Sequence, residues 1–146
     1  MDHIDMRILD VLKQNGRITA SEISKIINLS IPAVSERIRK LEESNIIEQY
    51  TIKINRKKMD QKLLTMVLVN IEQPSNNEYF KKAVTEFPEV LECHHLVGEY
   101  DYLLKVLLRD TDELEEFLTS KMKSLQGVKK SNSWIILSTL KEEINR

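Results

Sequence analysis

The sequence is poor in the residues from which chemical sites are usually built. Cys93 is the single cysteine among 146 residues. No internal disulfide can form, and with three histidines the soft ligands are too few for a zinc site. Three glycines leave no room for a glycine-rich phosphate cradle. No nucleophile sits beside a base and no pair of acids is spaced for proton transfer, so an enzyme is not expected. No apolar run approaches the ~18 residues of a membrane span, and Met1-Asp2-His3 lacks the basic start of a secretion signal. We therefore expect a cytoplasmic protein with no membrane partner. Strong charge of one sign is missing too. The net charge is −1, with 11 Lys and Arg against 9 Asp and Glu in residues 1–60 and 11 against 14 in 61–146. That asymmetry does not decide for or against a nucleic-acid partner, so motifs must.

What is present is an ordinary globular composition, 41% hydrophobic and 31% charged. The length suits one average domain or two small ones, and small domains bury too little surface to be robust alone, which favours association between subunits. Up to Leu41 the pattern is helical. Asp2 is placed to cap a first helix with Ile4, Ile8, Leu9 and Leu12 on one face, and Asn15-Gly16 is expected to end it in a left-handed conformation. Thr19 and Glu22 fit a capping box for a short second helix carrying Ile23, Ile26 and Ile27. Leu29-Ser30 is the break, and Ser30 with Pro32 opens a third helix with Val34, Ile38 and Leu41 at i, i+4, i+7. A turn at Ser44-Asn45 leads to Ile46–Ile54, rich in β-formers and read as a strand or short hairpin on the helices.

Residues 55–62 are polar and basic and read as a linker. Beyond it the grammar changes. Leu63–Ile71 reads as a strand, and Ser75 with Glu78 as a capping box for a helix carrying Phe80, Ala83, Val84 and Phe87 up to Pro88. Val90–Val97 and Tyr102–Leu108 read as strands around the turn Gly98-Glu99-Tyr100-Asp101, with Lys105 marking a partly buried face. Asp110 caps a helix with Leu114, Phe117, Leu118 and Leu125 inward, and Gly127 leads into a last strand, Val128 to Leu140. The fold class is α+β: a winged-type helix-turn-helix over 1–54, then a βαββαβ ferredoxin-like domain over 63–146.

Two short helices joined by a tight turn fit the helix-turn-helix. On a wheel of about 100° per residue, Pro32, Glu36, Arg39, Lys40 and Glu43 lie opposite Val34, with Ser35 and Arg37 at the flanks. A groove-reading helix needs short groups near its start and cations further on. Ser30, Ile31, Pro32, Ser35, Glu36, Arg37, Arg39 and Lys40 are the candidates, with Thr19 and Ser21 at the second helix's start for phosphates. Taken alone, such a face equally describes a solvated helix.

The order of these motifs adds specificity. Asp5–Leu9, Asn15–Thr19, Leu29–Glu42 and Ile46–Thr51 resemble the Lrp/AsnC (leucine-responsive, feast/famine) regulators, as do Glu92-Cys93-His94 and Gly98–Lys105. The likeness runs nearly the full length. It departs at Asn45 and Asp60, where that family commonly has glycine. The resemblance implies a C-terminal RAM domain (regulation of amino-acid metabolism) that pairs sheets into dimers and joins these into tetramers or octamers. It also implies an amino-acid effector held between dimers by His95, Val97, Gly98, Tyr100 and Asp101, facing Ser133, Trp134 and Ile135. No other cofactor is implied. The chemistry suits such a ligand, since glycine N–H groups can hold a carboxylate and Asp101 an ammonium. By itself the same turn is simply a hairpin.

Other singled-out residues weigh less. Cys93, His94 and His95 alternate across a strand and do not converge on a metal. Trp134 reads as a core or interface anchor, and Asp112, Glu113, Glu115 and Glu116 as a solvated face. The leading reading is a regulator that binds promoter DNA as a homo-oligomer associated with the nucleoid. The alternative is an architectural protein that bends or wraps DNA with little effector dependence.

Overall fold

The computed structural model describes residues 1–145, which divide into two units. One comprises Met1–Ile54 with residues 143–145, and the other Asn55–Glu142.

In the first unit α1 spans His3–Gln14, α2 Ala20–Ile27 and α3 Ile31–Glu43. Each start is capped as the sequence suggests. The Asp2 carboxylate accepts from the N–H groups of Ile4 and Asp5, while Asp5 accepts from the N–H of Asp2. Thr19 and Glu22 close the reciprocal box on α2, and Ser30 caps α3 with Pro32 in its first turn. Ile8, Ile23, Ile27, Val34 and Leu41 are buried together. Ile26 is not; it is 52% exposed, about 100° round α2 from Ile27.

The stops differ from expectation. Asn15 has φ −147° and Gly16 is not left-handed; the Asn15 side chain accepts from the N–H of Arg17, which turns the chain without positive φ. The left-handed residues are Asn28 (φ 60°), ending α2, and Asn45 (φ 55°), following α3. Asparagine tolerates this region because its short side chain hydrogen-bonds locally. Residues 46–54 form no strand. The N–H groups of Ile46 and Ile47 donate to the Leu41 carbonyl, and the Tyr50 hydroxyl donates to Glu42. Ile52 and Ile54 stay exposed. A strand needs a neighbour for its backbone groups, and this unit supplies none.

The second unit begins with one 3₁₀ turn, Arg56–Met59, closed by Asp60 at φ 59°. Its elements are β1 Leu63–Ile71, α4 Asn77–Thr85, β2 Val90–His95, β3 Tyr102–Leu108, α5 Thr111–Glu116 and β4 Val128–Ile136. The sheet order is β2-β3-β1-β4, with every neighbouring pair antiparallel. Val67 and Val69 of β1 join Tyr102, Leu104, Val106 and Leu108 of β3 in a core with Phe80, Val84, Leu114, Phe117, Met122 and Leu125 from the helical side. Alternation sends Leu64, Met66, Leu68, Leu103, Lys105 and Leu107 to the other face, joined in register by Trp134 and Ile136. Among the described residues of this unit, no helix covers that face.

Three details correct the expected elements. The Ser75–Glu78 capping box is absent: a 3₁₀ turn at Pro74–Asn76 precedes α4, and the Glu78 carboxylate accepts from Lys81 instead. Asp110 does cap α5, but the helix widens into a π segment over Phe117–Met122. Its wider turn buries Phe117 and Met122 five residues apart. The last strand stops at Ile136, not Leu140, because Ile136 pairs with Leu64 and β1 starts at Leu63, leaving nothing to pair beyond.

Two predictions follow from these contacts. Gly127 adopts φ +89°, and a Cβ there would lie 2.4 Å from the Asn76 side chain. Gly127→Ala should destabilise the second unit by about 1–3 kcal/mol in urea titration. In the first unit, Arg37 of α3 reaches Asp2 (2.8 Å) and Asp5 (2.6 Å), tying α3 to the start of α1. Both carboxyls lie below their ordinary 3.8, first through the capping N–H groups and then through Arg37. Depressed carboxyl pKa values stabilise the fold above 3.8, and that contribution is lost as pH falls below it. Arg37→Met should lower the melting temperature by a few degrees at neutral pH, and the gap to wild type should narrow below pH 3.8. Circular dichroism melts across pH measure both effects.

Candidate DNA-binding face and effector turn

Capping and burial together decide what α3 shows to solvent. Val34 and Leu41 are sealed in the core, Ala33 and Ile38 are half-buried, and Ile31, Pro32, Ser35, Glu36, Arg39 and Lys40 are exposed. The Ser35 hydroxyl makes no side-chain bond among the described residues, and the Ser30 hydroxyl accepts only weakly, from Ala33 N–H at 3.4 Å. Both can donate outward. At α2 the Thr19 hydroxyl already donates to Glu22 at 2.7 Å, so a phosphate would have to compete for it. Ser21 is half-buried, and its carbonyl accepts from the Ser24 hydroxyl.

The cations on this face are internally matched. Arg39 binds Glu36 through two nitrogens, at 2.9 and 2.7 Å, and also pairs with Glu43. Lys40 lies 3.6 Å from Glu36. The Arg39 guanidinium holds the Glu36 carboxyl down at about 2, so Glu36 is ionised at any physiological pH. Arg37, the third cation of α3, pairs outside its own helix. It sits at the side of α3 with its guanidinium committed to Asp2 and Asp5, where it sets how α3 packs on α1.

The second candidate site is built around the chain reversal between β2 and β3. Asp101 fixes it to β1: its N–H donates to the Val69 carbonyl at 3.0 Å and its carboxylate accepts from Ile71 N–H at 2.7 Å. Asn70 donates to the Glu99 carbonyl at 2.8 Å, while its own side-chain oxygen is buried without a partner among the described residues. Tyr100 reaches β4, with Lys130 over its ring and Asn132 at 3.5 Å from its hydroxyl. Val97 is fully exposed, and no atom of the described residues lies within 4 Å of where a Gly98 side chain would be. The turn is thus a rigid platform whose tip is bare.

The remaining effector candidates lie elsewhere on the sheet. Trp134 stands opposite Met66 on the uncovered face and is 59% exposed, so it is not a core residue of this chain. Ser133 and Ile135 pair with Val67 and Thr65 and point to the helical side. These partners lie four to six β1 residues from Ile71, roughly 13–20 Å from the turn at the usual strand rise. His95 stacks on Tyr102, at 4.9 Å between ring centroids. One chain therefore does not bring the eight residues into a single cavity. Asn70, Lys130 and Asn132, absent from the expected set, are the side chains that do gather at the turn. A polar Asn70 inside the apolar run of β1 was the available signal. Among the described residues no His, Cys, Asp and Glu cluster is placed to hold a metal, and burial pushes the Cys93 thiol up.

Comparison with known proteins agrees with both halves of this description. Residues 1–48 match the family model for winged helix-turn-helix DNA-binding domains, and residues 64–145 that for the Lrp/AsnC ligand binding domain. The leucine-responsive regulatory protein of Escherichia coli is 33% identical over 144 residues, spanning 97% of this chain and 88% of that protein. The transcriptional regulator FL11 of Pyrococcus furiosus is 31% identical, spanning 97% and 93%. The transcriptional regulator NMB0573 of Neisseria meningitidis, solved as a complex with L-Met, superposes with a TM-score of 0.95 at 32% identity, spanning 99% of this chain and 94% of that one. With both domain models matched in order and relatives alike along nearly the whole length, the chain belongs to the Lrp/AsnC family of helix-turn-helix transcriptional regulators.

Proposed function

We propose that this chain binds promoter DNA as a homodimer or larger assembly in the cytoplasm, on the nucleoid, and that a free amino acid tunes the binding. The observation that carries the reading is α3. Its apolar side is sealed by Val34 and Leu41, while Ile31, Pro32, Ser35, Glu36, Arg39 and Lys40 line an unobstructed outer face. In this reading Ser30, Ile31, Pro32 and Ser35 approach base edges, and Arg39 and Lys40 exchange their glutamate partners for bases and phosphates. Glu36 and Glu43 set a threshold that DNA has to overcome. Thr19 and Ser21 meet phosphate at the start of α2. Arg37 acts as a positioning residue behind that surface.

The uncovered sheet face supports self-association. Leu103, Leu107, Trp134 and Ile136 make an apolar surface that a second copy would bury, and a two-fold axis would set two recognition helices about 34–36 Å apart. Assembly would also answer the scattered effector residues, since Ser133, Trp134 and Ile135 of another copy can face His95, Val97, Gly98, Tyr100 and Asp101. Because one relative was solved with L-Met, methionine is the first amino acid to try. A second reading, architectural bending or wrapping with little effector dependence, is favoured by the internally matched charges of α3 and by the bare turn.

The two readings separate in one experiment. A promoter fragment is titrated with and without each proteinogenic amino acid while light scattering follows assembly size. At least one amino acid should change affinity or size; if none does, the architectural reading replaces the sensing one. Arg39→Ala should weaken promoter binding by about 1–3 kcal/mol with assembly size unchanged. Full affinity in that variant would remove α3 from the interface.

A further inference from the structure

Affinity for DNA comes largely from cations that replace the counterions of phosphates. The helix-turn-helix unit offers little such charge. Residues 1–54 hold eight Lys and Arg and eight Asp and Glu, and on α3 both Arg39 and Lys40 already face Glu36. The next eight residues are different. Arg56, Lys57, Lys58 and Lys62 stand there against the single acid Asp60, and Asp60 is taken up by Lys62 at 2.6 Å.

This basic segment is ordered. Asn55 accepts from the N–H of Lys58, the N–H of Gln61 donates to the Arg56 carbonyl at 2.9 Å, and Asp60 closes the turn in the left-handed region. Arg56 is held by the Thr139 hydroxyl at 3.3 Å. Lys57 and Lys58 project into solvent, and no carboxylate among the described residues pairs with either. A short rigid turn carrying adjacent unpaired ammonium groups matches a polyanion with closely spaced charges, one per about 1.7 Å of duplex. It does not match a pocket for a small ligand, because nothing encloses it.

We infer that the Asn55–Asp60 turn is a second DNA-binding element, which grips phosphates through Lys57 and Lys58 without regard to sequence. The inference rests on the reading of this chain as a duplex binder and gives that reading its missing electrostatic component. Thirteen residues lie between Glu43 and Lys57, a tether of at most about 50 Å. Once α3 is docked, the turn samples nearby phosphates at high effective concentration. Discrimination and grip are thereby divided: α3, with its matched charges, contributes selectivity, and the turn contributes salt-dependent hold.

The test uses the full-length protein and a labelled random-sequence duplex, followed by anisotropy over a salt series. In Lys57→Gln/Lys58→Gln the slope of log affinity against log salt should become shallower by about 1.8, or 0.9 for each lost phosphate contact. Lys57→Arg/Lys58→Arg should keep the wild-type slope, and light scattering should give one mass for all three proteins. An unchanged slope in the Gln variant overturns the inference while leaving the regulator reading intact. Equal loss in the Arg variant also overturns it, because the lysines would then be serving the turn's structure. Wild-type protein that binds no duplex at all defeats both readings.

Discussion

Everything that positions the second unit's candidate site depends on β1 being paired along both edges. Leu63–Val69 bonds to β3, and Leu64–Ile71 to β4. A strand in that place has no free backbone groups and must offer side chains to both faces. Val67 and Val69 go to the helix-backed core, whereas Leu64 and Leu68 go to the uncovered face. The C-terminal end of β1 also anchors the 96–101 turn, through Val69, Asn70 and Ile71. One strand therefore sets the core, the uncovered sheet face and the platform of the 96–101 turn. The limit of β4 follows from the same constraint, since the ladder ends where β1 begins.

Charge is arranged with comparable economy in the helical unit. Of the three cations on α3, Arg37 pairs with Asp2 and Asp5 and the other two are balanced by glutamates of the same helix. Exposed pairs of this kind contribute little to stability. Their effect is on the charge of the outer face, where Arg39 and Lys40 are offset by Glu36 and Glu43.

Much of this was legible in the sequence because local signals have local causes. The caps at Asp2, Thr19, Ser30 and Asp110 form as their spacing implies, and the strands from Leu63 and Tyr102 take the expected bounds. Asn45 and Asp60 stand where the family commonly has glycine, and both adopt left-handed backbone. Signals that needed a partner failed. Ile46–Ile54 has strand composition and no strand to pair with, and Ser75–Glu78 has the spacing of a capping box that Pro74–Asn76 pre-empts. The π segment at Phe117–Met122 left no mark that an α-helical wheel could reveal.

By itself, then, the sequence determined the α+β plan, the order of the elements, the helix starts and the exposed outer face of α3. These depend on periodicity and on hydrogen bonds between residues a few positions apart. Only the tertiary structure paired Arg37 with Asp2 and Asp5, because these partners lie more than thirty residues away. It also decided that Asp101 is tied to Ile71 and that Ser133, Trp134 and Ile135 stand apart from the turn in a single chain. Strand register controls that separation, and register is set by long-range pairing, which no local pattern encodes.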